Sequence, residues 1–301
     1  MMVKKHNIKP SYLSNLFNHI NIQQKSLNIV NRKRVKKPSK KLKKLYPYYG
    51  AWDRYVALKV TPLRAKQGAE FIKKYKTAFE NAQKIYGVSK EYIAAIIGIE
   101  SLYGKNVGSY PAFNTLATLA FEKNRRNKFY QKELEELILF CIRNDINVKN
   151  IKSSYAGAIG LGQFMPSNYD YYGVDFNHDG KVRMQNPVDA IGSIANYFKK
   201  SGWKKGEDVA VRVSYKGNRF HKYKTGYTKL YHRYQLKGIK PKYAWNYRGK
   251  VRLIKLNRKN YDELWYAGRN FRVITRYNHS AYYAMSVHQL AQKIKKELKK
   301  K

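Results

Sequence analysis

Apolar residues recur every three or four positions over 62–87, 129–143 ("FYQKELEELILFCIR"), 187–200 and the closing "SAYYAMSVHQLAQKIKKELKK". That spacing predicts helices with one face in a core. Residues 1–30 read as shorter helical turns, with Ser11 of "SYLSNLFNHI" as an N-cap. Gly87 ends one helix, and Ser89 caps the next, which places Glu91 in its first turn, where a negative charge complements the helix dipole. Pro187 stands near the start of the 187–200 helix. Residues 204–262 change character: short alternations of Val, Tyr, Arg and Lys, punctuated by glycine, predict small strands and loops. "YPYYG" at 46–50 reads as a turn, and no internal repeat is present. The fold class expected is mainly α, within α+β.

One helix carries an anomaly. In "AAIIGIESLYG", Ile93, Ile96, Ile97 and Glu100 fall at i, i+3, i+4 and i+7, so a carboxylate ends the core-facing stripe. Apolar surroundings favour the neutral acid and raise its pKa. A carboxylic acid still protonated near neutral pH is what general-acid cleavage of a glycosidic bond requires. The competing reading is structural: Glu100 caps a backbone or pairs with a buried arginine.

The balance of 62 Lys and Arg against 19 Asp and Glu gives a formal charge of +43. Such a surface attracts polyanions, whether nucleic acid, anionic lipid or acidic wall polymers. An AT-rich coding sequence also yields an excess of Lys, Asn, Ile and Tyr, so charge alone names no partner. Nine basic residues concentrate in "NRKRVKKPSKKLKKL", 31–45, which reads as an exposed linker, or alternatively as a nucleic-acid or targeting patch. Cys141 is the single cysteine, which excludes an internal disulfide and any cysteine-based metal cluster. His6, His178 and His279 lack ligand spacing, and "AGAIGLGQFMPS" lacks the Gly-Lys-Ser/Thr of a phosphate loop. No apolar run nears the roughly 20 residues needed to span a bilayer. "MMVKKHNIKP" has no apolar region after its basic residues, so no secretory signal is visible and the compartment stays open.

Four segments occur in order: "GIESLYG", "SYAGAIGLGQFMPSNY", "VDFNHDGKVRMQNPVDAIGSIANYF" and "NFRVITRYNHSAYYAMSVHQLA". Together they resemble the MltB-type (Slt35-like) lytic murein transglycosylases of bacteria. The likeness is strongest over 88–203 and 269–290 and thin over 204–262. It implies a lysozyme-like helical core, a small β-containing part and an extra helical lobe built from both chain ends. The division expected is 1–75, helical with the basic linker; 76–203, the catalytic core; 204–262, a strand and loop subdomain; and 263–301, a segment returning to the cleft and the helical lobe.

The resemblance assigns Glu100 as the single catalytic acid/base. It places Ser154 and Gln163 beside that acid in the cleft, Tyr277 and Asn278 of "RYNHS" on the far side, and Tyr283 nearby. Arg125 or Arg126 fits a substrate-contacting arginine, without a choice between them. Ordinary glycosidases use two carboxylates. The matched motifs supply one, which suits a substrate-assisted route in which the same Glu acts as acid and then as base. The implied product is a 1,6-anhydroMurNAc end, formed by cutting the MurNAc–GlcNAc β-1,4 bond of peptidoglycan glycan strands. The resemblance also implies a periplasmic or cell-envelope location. A monomer is expected, and no cofactor is needed for the chemistry.

"DFNHDGKVRMQNPVD" places Asp175, Asn177 and Asp179 at positions 1, 3 and 5 of a calcium loop, with Gly180 at the sharp turn and the Lys181 carbonyl at position 7. Asn186 stands where an EF-hand has Glu. The resembled family closes a longer loop with an Asp three residues later, and Asp189 occupies that place. A structural Ca2+ is therefore expected over 175–189. The alternative is a turn held by side-chain hydrogen bonds without metal.

Two other classes compete with the enzyme: a polyanion binder whose charge is its function, and a wall-binding scaffold without activity. A hydrolytic muramidase acting on the same bond is the enzymatic rival. Against pure binding, of nucleic acid in particular, stands the joint presence of Glu100, Gln163 and "RYNHS".

Overall fold

The computed structural model describes residues 2–32, 50–217, 219–245 and 247–300. Of the basic stretch 31–45 only Asn31 and Arg32 belong to these, so the expected linker lies outside the described residues. In chain order the elements are α1 (Met2–His6), α2 (Pro10–Phe17), α3 (Gln24–Asn31), α4 (Ala51–Lys59), α5 (Pro62–Lys74), α6 (Lys76–Tyr86), α7 (Lys90–Ser101), β1 (Tyr110–Pro111), α8 (Ala112–Phe121) and α9 (Asn127–Arg143). They continue through β2 (Lys152–Ser153), α10 (Tyr169–Tyr172), α11 (Pro187–Lys200), β3 (Ala210–Ser214), β4 (Lys240–Pro241), β5 (Arg252–Asn257), β6 (Asp262–Ala267), α12 (Arg269–Tyr277) and α13 (Ala281–Glu297). No described helix is long and apolar enough to cross a membrane.

Several boundaries differ from the sequence reading for local reasons. α2 begins at Pro10, whose fixed φ suits a first helical position, with Lys9 as N-cap; Ser11 lies inside the first turn. The expected helix over 62–87 is two helices. They meet at Tyr75 (φ −110°, ψ 38°), whose ring packs on Phe71, with no glycine or proline to announce the break. Ser89 is the N-cap of α7 by position, but its hydroxyl makes no capping bond; the Lys90 N–H is instead satisfied by Gln83 Oε1 at 3.1 Å. α4 was not legible at all. β3, β4 and β5 fall within the expected 204–262, but β6 begins at Asp262 and lies almost wholly beyond it, and the short β1 and β2 were not expected.

The chain divides into two compact units, each assembled from two separated segments: 1–34 with 104–193, and 35–103 with 194–301. In the first, α8 is buried along almost its whole length, and α9 and α3 pack on it. β1 pairs antiparallel with β2, Tyr110 opposite Ser153. Single bridges Ser153–Ile159 and Ile159–Phe164 then fold 153–164 into a tight double turn. Gly157 is required there: its φ is +85°, and a Cβ would sit 2.3 Å from Leu116 Cδ2.

In the second unit, α13 is the central helix, buried at Tyr283–His288, Leu290, Ala291 and Ile294, with α4, α5, α7 and α12 around it. Four strands in the order β4–β3–β6–β5 form an antiparallel sheet. One side of the sheet is sealed by Val211, Val213, Leu253, Leu264 and Tyr266 with Phe220, Leu236 and Ile239. The β5–β6 hairpin is tied to α4 by Asp53, which accepts from Arg258 Nη1 at 2.6 Å and from the Lys259 N–H at 2.8 Å.

Candidate active site

α7 is apolar on every side. Tyr92 to Ile99 are all buried, so Ile93, Ile96 and Ile97 are part of a fully enclosed helix rather than one stripe of an amphipathic one. Glu100 sits in its last turn, and the chain reverses immediately beyond it. Leu102 (φ 52°) and Tyr103 (φ 60°) both adopt the left-handed conformation. Such residues cost on the order of 1–3 kcal/mol each outside glycine. The reversal is held by the Leu102 N–H bonding back to the Ile97 carbonyl and by Tyr103 Oη donating to the Arg64 carbonyl at 2.8 Å. Gly98 makes room for this, because a Cβ there would lie 2.5 Å from Tyr103 Oη. The helix therefore ends abruptly and fixes where its last carboxylate points.

Glu100 keeps partial exposure. Burial pushes its carboxyl pKa up; a hydrogen bond from Tyr283 and the positive charge of Lys59 pull in the other direction without cancelling the rise. Tyr283, 3% exposed, donates its phenolic O–H to Glu100 Oε1 at 2.5 Å. Tyr283 lies in the first turn of α13, whose N-cap Ser280 accepts the Tyr283 N–H at 3.2 Å. Burial and the neighbouring Glu100 charge hold the Tyr283 phenol well above its usual pKa, so it stays a donor at any working pH. Its ring stacks with that of Tyr277, centroids 6.5 Å apart, and Tyr277 packs edge-on against Tyr197 at 4.8 Å. Tyr277 is the last residue of α12, and Asn278 is its exposed C-cap. Sequence reasoning missed Tyr55 and Lys59. Both stand on α4, four residues apart, and both act electrostatically with Glu100. The stretch "AWDRYVALK" carries no motif that would have singled them out.

Ser154 and Gln163 come together in the first unit, on the double turn. Ser154 Oγ accepts from the Ala158 N–H at 3.1 Å and holds the turn. Gln163 adopts φ 51°, and its Nε2 donates to the Val107 and Gly160 carbonyls at 3.1 and 2.9 Å. Both bonds use the amide nitrogen, which leaves Oε1 as the atom to offer a ligand. The next turn is pinned by Glu133, a buried carboxylate on α9 that accepts from the Ser167 N–H and hydroxyl, each at 2.8 Å. Arg125 and Arg126 lie exposed before α9. The Arg126 guanidinium is committed to the Phe129 ring, 3.9 Å from its centroid, whereas no such partner holds Arg125 among the described residues.

The 175–189 loop is also in the first unit. Asp175 accepts from the Asp179 and Gly180 N–H groups, Asp179 from the Lys181 N–H, and Asp189 from the Phe176, Asn177 and Arg183 N–H groups. Asp189 is fully buried; burial and the adjacent Asp175 charge push its carboxyl pKa up. The Lys181 side chain turns away to Asp145 at 2.9 Å, consistent with a main-chain role at position 7. Asn186 accepts the Val188 N–H at 2.8 Å and so opens α11, which commits its side-chain oxygen to a helix cap. Among the described residues no three His, Cys, Asp or Glu side chains form a ready-made metal cluster. Arg183 also pairs with Asp179. The donors are nonetheless all oxygen and mostly anionic, which fits a hard cation such as Ca2+.

Residues 1–292 match the model of the transglycosylase SLT domain family. The chain belongs to that family. It is 40% identical over 247 residues, 81% of this chain and 68% of the relative, to the membrane-bound lytic murein transglycosylase B of Escherichia coli (strain K12). The lytic transglycosylase Slt35 of E. coli, solved with bulgecin A and also with calcium, superposes with a TM-score of 0.89 at 35% identity, covering 99% of this chain and 91% of that one. SltB3 of Pseudomonas aeruginosa, solved with NAG-anhNAM-pentapeptide, gives a TM-score of 0.83 at 25% identity over 98% of this chain and 76% of that one. The fold is thus the lysozyme-like transglycosylase fold, and the protein is a lytic murein transglycosylase of the MltB/Slt35 type, cleaving peptidoglycan.

Proposed function

We propose that Glu100 performs this cleavage alone, first as general acid and then as general base. The observation that carries the reading is a partly exposed carboxyl whose pKa burial has raised, held at Oε1 by a 2.5 Å bond from a phenol that does not ionise. Because Tyr283 donates, it orients the protonated acid through one oxygen and leaves the other to give its proton to the glycosidic oxygen between MurNAc and GlcNAc. The bond to that oxygen breaks and C1 of the muramoyl residue becomes electron-deficient, to be stabilised by the substrate's own acetamido group. The Glu100 carboxylate so formed is stabilised by Tyr283 and by the Lys59 charge. It then takes the proton of the C6 hydroxyl, which closes on C1. A 1,6-anhydro end results, water is not consumed, and Glu100 is again protonated.

The matched motifs supply one carboxylate, Glu100, which supports the one-carboxylate route over the two-carboxylate hydrolysis of common glycosidases. The NAG-anhNAM-pentapeptide bound to the Pseudomonas relative supports the same product class. In the second unit, Tyr277 and Asn278 are proposed sugar contacts; in the first, Ser154, Gln163 through Oε1, and Arg125 in preference to Arg126. Asp175, Asn177, Asp179, the Lys181 carbonyl and Asp189 would hold a structural Ca2+, which would supply rigidity to the loop following "GQFMPS" and take no part in bond breaking. The work is placed at the cell envelope, in the periplasm, where murein lies.

Glu100→Gln tests the assignment. The variant keeps the size of the side chain and should bind isolated sacculi while losing at least about a hundredfold in turnover. Substantial residual release of muropeptides would remove Glu100 from its role.

A further inference from the structure

The second unit contains a pocket of about 480 Å3 whose lining includes Lys204, Lys250, Arg252, Arg269, Arg272 and Arg276 and no Asp or Glu. Among the described residues none of these six makes an ion pair, although Arg212 and Arg258 on the same sheet and its hairpin are both paired with Glu263. Two of the four arginines are held by backbone carbonyls, and Arg272 donates to the Thr275 hydroxyl at 3.0 Å. Arg252 donates to the Tyr227 and Gly268 carbonyls at 2.8 and 3.3 Å, and Arg276 to the Ser201 carbonyl at 3.0 Å. Arg269, Arg272 and Arg276 follow one another at three and four residues along α12, which brings them to one face.

Burial and the Arg272 charge both push the Arg252 guanidinium below its usual pKa. Like charges gathered in a recess, partly desolvated and fixed by neutral acceptors, raise the energy of the empty site, and a bound anion relieves it. Leu230 and Tyr247 add an apolar edge to the same recess.

We propose that this pocket binds a phosphate-class anion, a phosphoryl group on a small polar carrier. A single carboxylate is satisfied by one guanidinium fork, whereas a tetrahedral phosphoryl group presents several charged oxygens and can engage multiple cations at once. The volume leaves room for a carrier such as glycerol, and the Leu230–Tyr247 edge suits an attached apolar chain. This site is separate from Glu100 and stands or falls independently of the cleavage chemistry.

The experiment titrates the full chain with glycerol 3-phosphate by calorimetry, with succinate as carboxylate control. Three proteins are compared: the unaltered chain, Lys250→Gln/Arg269→Gln, and Lys66→Gln/Lys73→Gln, which removes the same charge from α5. Lys250 and Arg269 hold no hydrogen bond through their side chains among the described residues, so folding should not be impaired; a melting temperature no lower than that of the unaltered chain verifies this. The result expected is saturable one-to-one binding of glycerol 3-phosphate, stronger than that of succinate, weakened about tenfold in the pocket variant and unchanged in the α5 variant. Equal weakening in both variants, succinate binding as tight as phosphate, or no saturable binding would overturn the proposal. Phosphatidylglycerol vesicles then distinguish the source. Displacement of pocket-dependent vesicle binding by glycerol 3-phosphate identifies a lipid headgroup; a soluble ester that binds without competing with vesicles identifies a free phosphate compound.

Discussion

Tyr283 donates its phenolic hydrogen to Glu100 Oε1 across 2.5 Å, joining two helices whose bonded residues lie 183 positions apart. The bond is the main influence drawing the Glu100 pKa back toward the ordinary carboxylate range against burial. Removing it with Tyr283→Phe raises that pKa further, so the alkaline limb of the pH–rate profile should move to higher pH. The charge that forms on Glu100 during the reaction also loses its donor, and kcat/KM should fall on the order of a hundredfold. An alkaline limb that stays in place or moves to lower pH would show that the phenol does not tune the acid.

The same raised pKa makes Glu100 a stability liability at high pH. The unfolded chain releases this proton more readily than the folded one. The contribution of Glu100 to stability is therefore complete below the unfolded carboxyl pKa and is lost as pH rises through the folded value. Glu100→Gln cannot ionise. Its melting temperature should match the unaltered protein near pH 4 and exceed it progressively as pH rises through the window. A constant difference at all pH values would mean that the acid is not perturbed.

His288 behaves in the opposite sense. It is buried on α13, bonded through Nδ1 to Tyr92 Oη at 2.7 Å, and burial lowers its pKa from 6.5 to about 4. Between those values the unfolded chain binds the proton and the folded one does not, so stability falls as pH falls from 6.5 toward 4. The limiting slope is about 1.4 kcal/mol per pH unit for one proton. In His288→Gln that part of the acid sensitivity should disappear from denaturant melts, even if the variant is less stable overall. An unaltered slope would place the acid sensitivity elsewhere.

The calcium loop can be tested through thermal stability. Asp175 and Asp189 both organise backbone N–H groups, so their loss destabilises the loop with or without metal. The diagnostic quantity is the increment that Ca2+ adds. The unaltered protein should melt higher in calcium than in chelator, and Asp175→Ala should lose that increment. An absent increment in the unaltered protein would leave the loop as a turn held by its own hydrogen bonds.

The sequence made Glu100 legible because a carboxylate at i+7 from Ile93 contradicts the pattern around it. Its setting was less legible. The periodic pattern suggested a single apolar stripe, while α7 is enclosed on all sides, which depends on α5 and α13 packing against it from distant parts of the chain. Tyr283 was reachable only through its motif, being one of 28 tyrosines. Tyr55 and Lys59 gave no signal, because α4 is short and only Trp52 in it is buried. The two compact units escaped a linear reading because each joins segments far apart in sequence. The oxygen-rich spacing at 175–189 was plain, but the role of Asn186 as a helix cap required coordinates.

The central claim is that a single proton donor and acceptor cuts the glycan strand without water. Mass spectrometry of muropeptides released from purified sacculi in 18O-labelled water tests it most directly. The account predicts 1,6-anhydro ends free of solvent oxygen from the unaltered protein, and loss of their release with Glu100→Gln. Reducing ends carrying 18O would contradict it.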